Sequence, residues 1–113
     1  MTKALIDRIK SAKEFSTVIK TGQKTTTGSL IIYFTTNEQL LHSKLGILIK
    51  GRLANAVKRN RMKRLVREAF RAQYDRIKTR INIVVCAKKD FSDLKMHDIA
   101  QELCEALEQC KII

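Results

Sequence analysis

NAVKRNRMKRLVREAFR, residues 55–71, lies between two strand-like runs, KLGILIK (44–50) and INIVVCAKK (81–89). The stretch carries two stripes at helical spacing. At about 100° per residue, Met62, Leu65, Val66, Ala69 and Phe70 fall within roughly one third of the circle. Asn60, Arg64, Arg67 and Arg71 fall nearly opposite, with Arg59 and Lys63 on one flank and Arg61 on the other. A helix over about 55–76 with one apolar face must be seated on something, and the flanking runs supply a sheet. The strand–helix–strand run from 45 to 87 fits a parallel crossover unit. Its hand cannot be read from the residues, and right-handed is the default.

Working outward, SAKEFSTVIKT (11–21) opens with Ser11 and Glu14 at capping-box spacing and is followed by Gly22, a natural stop. Phe15, Val18 and Ile19 recur at i, i+3 and i+4, which predicts a short amphipathic helix. LIIYFT (30–35) reads as a strand on which Ile31, Tyr33 and Thr35 share one face. NEQLLHSK reads as a loop, and a strand around 24–28 has only the weak signal of three threonines. A last helix over about 97–110 places Ile99, Leu103, Ala106, Leu107 and Cys110 on one stripe. The expected architecture is a single α+β domain over residues 1–113, a small two-layer sandwich of three helices on a mixed sheet of about four strands. At this length about two thirds of the unfolded surface can be buried, so no disulfide or metal is needed to hold a core.

The charge is unusual. Lys and Arg number 23 against 11 Asp and Glu, a net of +12. Residues 90–113 hold six acidic and two basic side chains, net −4, so the first 89 residues carry +16. One face is expected to meet a polyanion and another to turn away from it. No apolar run approaches the roughly 20 residues of a membrane span, and charges interrupt any signal-peptide pattern from Met1 to Lys20. Cys86, Cys104 and Cys110 show no metal spacing, and their apolar neighbours read as buried thiols of a cytosolic protein.

Residues 58–71 alone hold seven cations and one anion, Glu68, for a net of +6. A helix that merely faces water mixes signs, because opposite charges at i,i+4 stabilise it and like charges oppose it. Here Arg59, Lys63, Arg67 and Arg71 repeat like charge at that spacing. Arginine outnumbers lysine five to two, which suits bidentate phosphate contact. A missing nucleic acid explains the pattern, although a solvated helix stays open and charge does not choose RNA over DNA.

The order of residues is more specific. Ala56-Val57-Lys58-Arg59-Asn60-Arg61, then Lys63-Arg64, Arg67-Glu68, Phe70 and Arg71, closely resembles the RNR motif of the bacterial ribonuclease P protein subunit. Phe15 with Gly22, Tyr33, and Leu45-Gly46-Ile47 extend the resemblance over most of the chain. It implies a ribosomal-protein-S5-domain-2-like fold with a left-handed βαβ crossover. It also implies a subunit of a tRNA-maturing endoribonuclease whose catalytic groups sit on an RNA, in the cytoplasm. By that likeness Lys58, Arg59, Asn60, Arg61, Lys63, Arg64, Arg67 and Arg71 face the catalytic RNA. Phe15, Ile19 and Tyr33 line a cleft for the single-stranded 5′ leader of precursor tRNA, where aromatic rings can stack on bases. Ile19 stands where many members carry a second aromatic, so only apolar contact is implied there. Gly51 and Ala54 depart from the usual residues before the helix.

Plainer readings stand beside these. On periodicity alone Phe15 is equally a core residue, and Tyr33 a half-exposed strand residue. Asn60 either reads RNA edges, fixes a guanidinium, or is simply polar. His42 and His97 are isolated, and the acidic residues of the last helix read as a solvated face. No His/carboxylate pair set for acid–base work, Gly-rich phosphate loop or nucleophile elbow is apparent, which opposes a stand-alone nuclease. A ribosomal-type structural RNA-binding protein is the main alternative. No protein-bound cofactor, membrane or small-molecule substrate is expected, and Mg2+ should be held mainly by RNA.

Overall fold

The computed structural model describes residues 7–113, so the first six positions of the expected domain lie outside the described residues. Five strands and three helices follow in the order β1 (Asp7–Arg8), α1 (Ala12–Thr21), β2 (Gln23–Thr26), β3 (Leu30–Thr36), β4 (Lys44–Leu48), α2 (Ala56–Gln73), β5 (Ile81–Ala87) and α3 (Met96–Gln109). The strands form one mixed sheet in the order β1-β4-β5-β3-β2. β4 runs parallel to β1 and β5, while β3 is antiparallel to β5 and β2.

Alternation along β3 assigns the two faces. Leu30, Ile32 and Phe34 are buried, together with Ile81, Ile83 and Val85 of β5, against α2 and α3. Met62, Leu65, Val66, Ala69 and Phe70 of α2 and Ile99, Leu103, Ala106 and Leu107 of α3 complete that core, so both apolar stripes read from the sequence are buried. The opposite face carries Val84, Tyr33 and Cys86 and receives Phe15, Val18 and Ile19 of α1.

The crossover is left-handed, and its hand follows from the ladder. Lys88 N–H donates to Ser29 C=O and Asn37 N–H to Arg80 C=O, so even-numbered residues of β5 bond towards β3. Odd-numbered Ile81, Ile83 and Val85 therefore bond towards β4, and their side chains face α2. With L-residues, this places β4 to the right of an upward β5 seen from the helices. The chain thus returns through α2 from right to left, against the usual preference.

Local signals explain the element ends. Ser11 Oγ accepts the Glu14 N–H (3.1 Å) at the start of α1, and Asn55 Oδ1 accepts the Lys58 N–H (2.9 Å) at the start of α2. Gly22 N–H donates to Val18 C=O, and a Cβ there would run into the carbonyls of Val18 and Phe34, so the stop needs glycine. α2 ends at Gln73, and a 3-10 turn takes Tyr74–Arg76. β4 stops at Leu48, short of the expected residue 50, before a second 3-10 turn at Gly51–Leu53.

Three expectations need correction. The sheet has five strands because β1, only two residues long, joins β4 through Asp7 N–H to Ser43 C=O and Ile9 N–H to Leu45 C=O, and the weak threonine run forms β2 as an edge. Two residues carry no period to read. The three cysteines are half-buried rather than buried, and Cys104 accepts from Arg76 and donates to Glu108. Glu102 is not on a solvated face. Its Oε1 accepts from Thr27 Oγ1 (2.6 Å) and Ser29 N–H (2.8 Å), tying α3 to the β2–β3 turn.

Ser29 is buried, so Glu102→Ala strands a backbone donor as well as removing a charged acceptor. Urea denaturation should show a loss of about 1.5–3 kcal/mol, with Glu105→Ala on the exposed face of the same helix close to neutral.

Candidate nucleic-acid interface

Packing fixes the rotation of α2, and the cations fall where that rotation leaves them. Asn60, Arg61, Arg64, Arg67 and Arg71 are exposed, while Arg59 and Lys63 are half-buried on the flank. Among the described residues, Lys63, Arg64, Arg67 and Arg71 have no carboxylate partner, and of the seven cations only Lys58 pairs, with Asp90 at 3.9 Å. The helix therefore keeps its like charges without the internal neutralisation that a solvated helix uses. Two arginines are already engaged: Arg59 donates from one terminal nitrogen to the carbonyls of Gly51 and Ala54, and Arg61 Nε donates to Ser92 C=O at 2.6 Å. Val57, 79% exposed, adds an apolar spot at the start of the same surface.

The sheet face bearing α1 stays open around that helix, and two of the concavities there hold the predicted residues. A groove of about 510 Å³ has Phe15, Ile9 and Gly46 on its floor, with Lys63, Arg67 and Arg71 of α2 on one side and Arg8 and Lys10 nearby. A second concavity of about 440 Å³ contains Ile19, Tyr33, Leu48 and Cys86, rimmed by Lys50 and Arg52. Phe15, Ile19 and Tyr33 thus belong to one apolar cluster with Val18 and Val84, but Phe15 lines the groove beside the basic helix while Ile19 and Tyr33 line the second concavity. Each is partly exposed, which is the condition for touching a ligand rather than serving only as core.

Several flanking cations escaped sequence reasoning. Lys24 lies opposite Tyr33 in the ladder, with its Nζ 5.9 Å from the ring centroid, a position legible only once β2 pairs with β3. Arg8 and Lys10 flank the groove because of β1. Lys50 and Arg52 reach the second concavity through the turn before α2. Burial raises the pKa of the Cys86 thiol, opposed in part by Lys50.

The histidines offer no chemistry in either concavity. His97 does have a carboxylate neighbour, Asp98 at 3.3 Å, contrary to the expectation of no such pair. It lies at the exposed start of α3, where Asp98 Oδ2 also caps the Lys95 N–H. Among the described residues no group of three or more His, Cys, Asp or Glu is placed to hold a metal, and no helix is long and apolar enough to cross a membrane.

The sequence model of the family described as Ribonuclease P matches residues 5–111. The chain belongs to the bacterial ribonuclease P protein family. Its relatives include the ribonuclease P protein component of Staphylococcus carnosus, 34% identical over 105 residues that cover 93% of this chain and 90% of that protein. The component from Syntrophus aciditrophicus is 36% identical over 97 residues, covering 86% and 81%. Among solved structures, the Staphylococcus aureus RNase P protein superposes with a TM-score of 0.81 at 30% identity, covering 93% of this chain and 95% of that one. The Thermotoga maritima protein gives 0.79 at 27% identity, covering 91% and 96%.

Gly46 is what allows Phe15 its place in the first groove, because a Cβ at that position would lie 2.6 Å from Phe15 Cε1. Gly46→Ala should push the ring outward and destabilise the fold by about 1–3 kcal/mol, the usual range for overpacking. A loss on thermal unfolding below about 0.5 kcal/mol would mean the ring moves freely and has no fixed seat.

Proposed function

We propose that this chain, as a protein component of ribonuclease P, assists removal of the 5′ leader from precursor tRNA by holding two RNAs on adjoining surfaces. The outer stripe of α2, with Lys58, Asn60, Lys63, Arg64, Arg67 and Arg71, takes phosphates of the catalytic RNA. Arg59 and Arg61 flank that surface. The concavities around Phe15 and around Ile19 and Tyr33 take the single-stranded leader by stacking and apolar contact, with Lys24, Lys50 and Arg52 on its phosphates. The reading rests on one observation above all: a helix held in rotation by its core face presents four cations that, among the described residues, no carboxylate neutralises.

The hydrolytic chemistry is assigned to the RNA, with magnesium held mainly by RNA phosphates. The protein's charge lowers the repulsion between two polyanions and so the magnesium needed to bring them together. The cytoplasm is the expected compartment.

The decisive experiment is cleavage of a leader-bearing precursor tRNA at low magnesium by a bacterial ribonuclease P RNA, with and without the protein. Correct 5′ processing should require both. Binding without stimulation, also with the catalytic RNA of the same source, would favour a structural RNA-binding protein instead, and cleavage by the chain alone would mean a nuclease.

The phosphate contacts have their own test. Replacing Arg64 and Arg67 with alanine should flatten the dependence of log K on log salt for the catalytic RNA by about 1.4–1.8, or 0.7–0.9 per lost contact. Circular dichroism should be unchanged, since both side chains point away from the core. An unaltered slope would place the catalytic RNA elsewhere.

A further inference from the structure

The two arginines of the RNR triplet do not behave like the other cations of α2. Arg59 is half-buried and turns back along the chain, where one guanidinium nitrogen donates to Gly51 C=O (3.0 Å) and to Ala54 C=O. Those carbonyls belong to the 3-10 turn Gly51–Leu53 and the residue after it, the only covalent link from β4 into α2. Besides these bonds, Leu53 N–H donates to Lys50 C=O and Ala54 packs against the core, while Gly51 and Arg52 are exposed. A cation in the first turn of a helix also sits at the unfavourable end of its dipole, and carbonyl acceptors relieve that. Arg61 is tied on the other flank to Ser92, in the loop leading to α3 rather than to the cleft.

The stapled turn has a position that gives Arg59 a consequence. Lys50, Arg52 and Leu53 line the concavity that contains Tyr33 and Ile19. We propose that Arg59 is a positioning residue: it staples the turn before α2, and through it holds Lys50 and Arg52 at the rim of the Tyr33 concavity. The first arginine of the triplet then links the helix that meets one RNA to the cleft that meets another, without itself neutralising a phosphate. This inference rests on the assignment of that concavity to the leader.

Holoenzymes built with the catalytic RNA and the wild type, Arg59→Met, Arg59→Lys or Arg64→Met chains separate the roles. Two quantities are measured: the salt slope of catalytic-RNA binding, and the affinity for leader-bearing precursor relative to mature tRNA. If Arg59 is a staple, Arg59→Met keeps the wild-type slope while Arg64→Met flattens it by about 0.7–0.9. Lysine keeps the charge but is too short to reach both carbonyls, so both Arg59 variants should lose leader preference, by about fivefold, the equivalent of one net hydrogen bond. In the free protein, amide exchange at Leu53 should quicken in both variants while that of Val84 in β5 is unchanged.

Wild-type behaviour of Arg59→Lys, with a slope loss in Arg59→Met equal to that of Arg64→Met, would overturn the proposal and make Arg59 a phosphate contact. Unchanged exchange at Leu53 would overturn the staple itself. A wild-type holoenzyme with no leader preference would instead overturn the leader assignment and with it the functional half of this inference, while the exchange at Leu53 still judges the staple separately.

Discussion

Helix α2 cannot rotate, and the rest of the molecule depends on that. Met62, Leu65, Val66, Ala69 and Phe70 are all buried against β5, β3 and α3. Each large apolar side chain among them contributes roughly 1.5–3 kcal/mol by leaving water. The like-charge pairs at i,i+4 on the other side oppose the helix by only about 0.2–0.5 kcal/mol each. Burial wins by a wide margin, so the fold tolerates a row of unneutralised cations and holds it at a fixed angle to the sheet. A surface built this way is ready for a polyanion before the polyanion arrives.

The left-handed crossover decides which neighbours that helix has. Running from β4 to β5, it leaves Lys63, Arg67 and Arg71 beside the edge of β4, where Gly46 and Phe15 meet. The same strand leads through the Gly51–Leu53 turn to the rim of the second concavity. The sheet is therefore used on both faces: one closes the core with α2 and α3, and the other is only partly covered by α1 and stays open around it. The acidic C-terminal part is spent differently, with Glu102 holding the β2–β3 turn and Asp90 lying near Lys58. Four of its six carboxylates, Asp98, Glu102, Glu105 and Glu108, lie on α3.

Family membership and geometry support each other at different depths. The match over residues 5–111 identifies the chain as a relative of ribonuclease P proteins. What each cation does is a matter for this chain's own contacts. Within one helix, Arg64 and Arg67 are exposed and have no partner among the described residues, whereas Arg59 and Arg61 are bound to backbone carbonyls of two different loops. A motif written as a string of residues does not distinguish these roles, because the carbonyls that receive the two guanidiniums lie outside it.

The sequence by itself determined what is periodic. The stripes of α1, α2 and α3 and the alternation of Leu30, Ile32 and Phe34 against Ile31 and Tyr33 are repeats of 3.6 and 2 residues, and they name both faces of each element without reference to the rest of the chain. Motif order added the family and its unusual crossover, which periodicity alone leaves undetermined. Only the tertiary structure decided what depends on neighbours far apart in the chain. β1 exists because Ser43 and Leu45 offer carbonyls to Asp7 and Ile9, and Glu102 is a tether because Thr27 and Ser29 are folded back onto α3. Phe15 opens beside α2 and Ile19 and Tyr33 beside the turn before it because β4 and that turn bring different cations to each. Local pattern fixes which side of an element faces inward, but the partner that meets the other side is set by the packing of the whole chain.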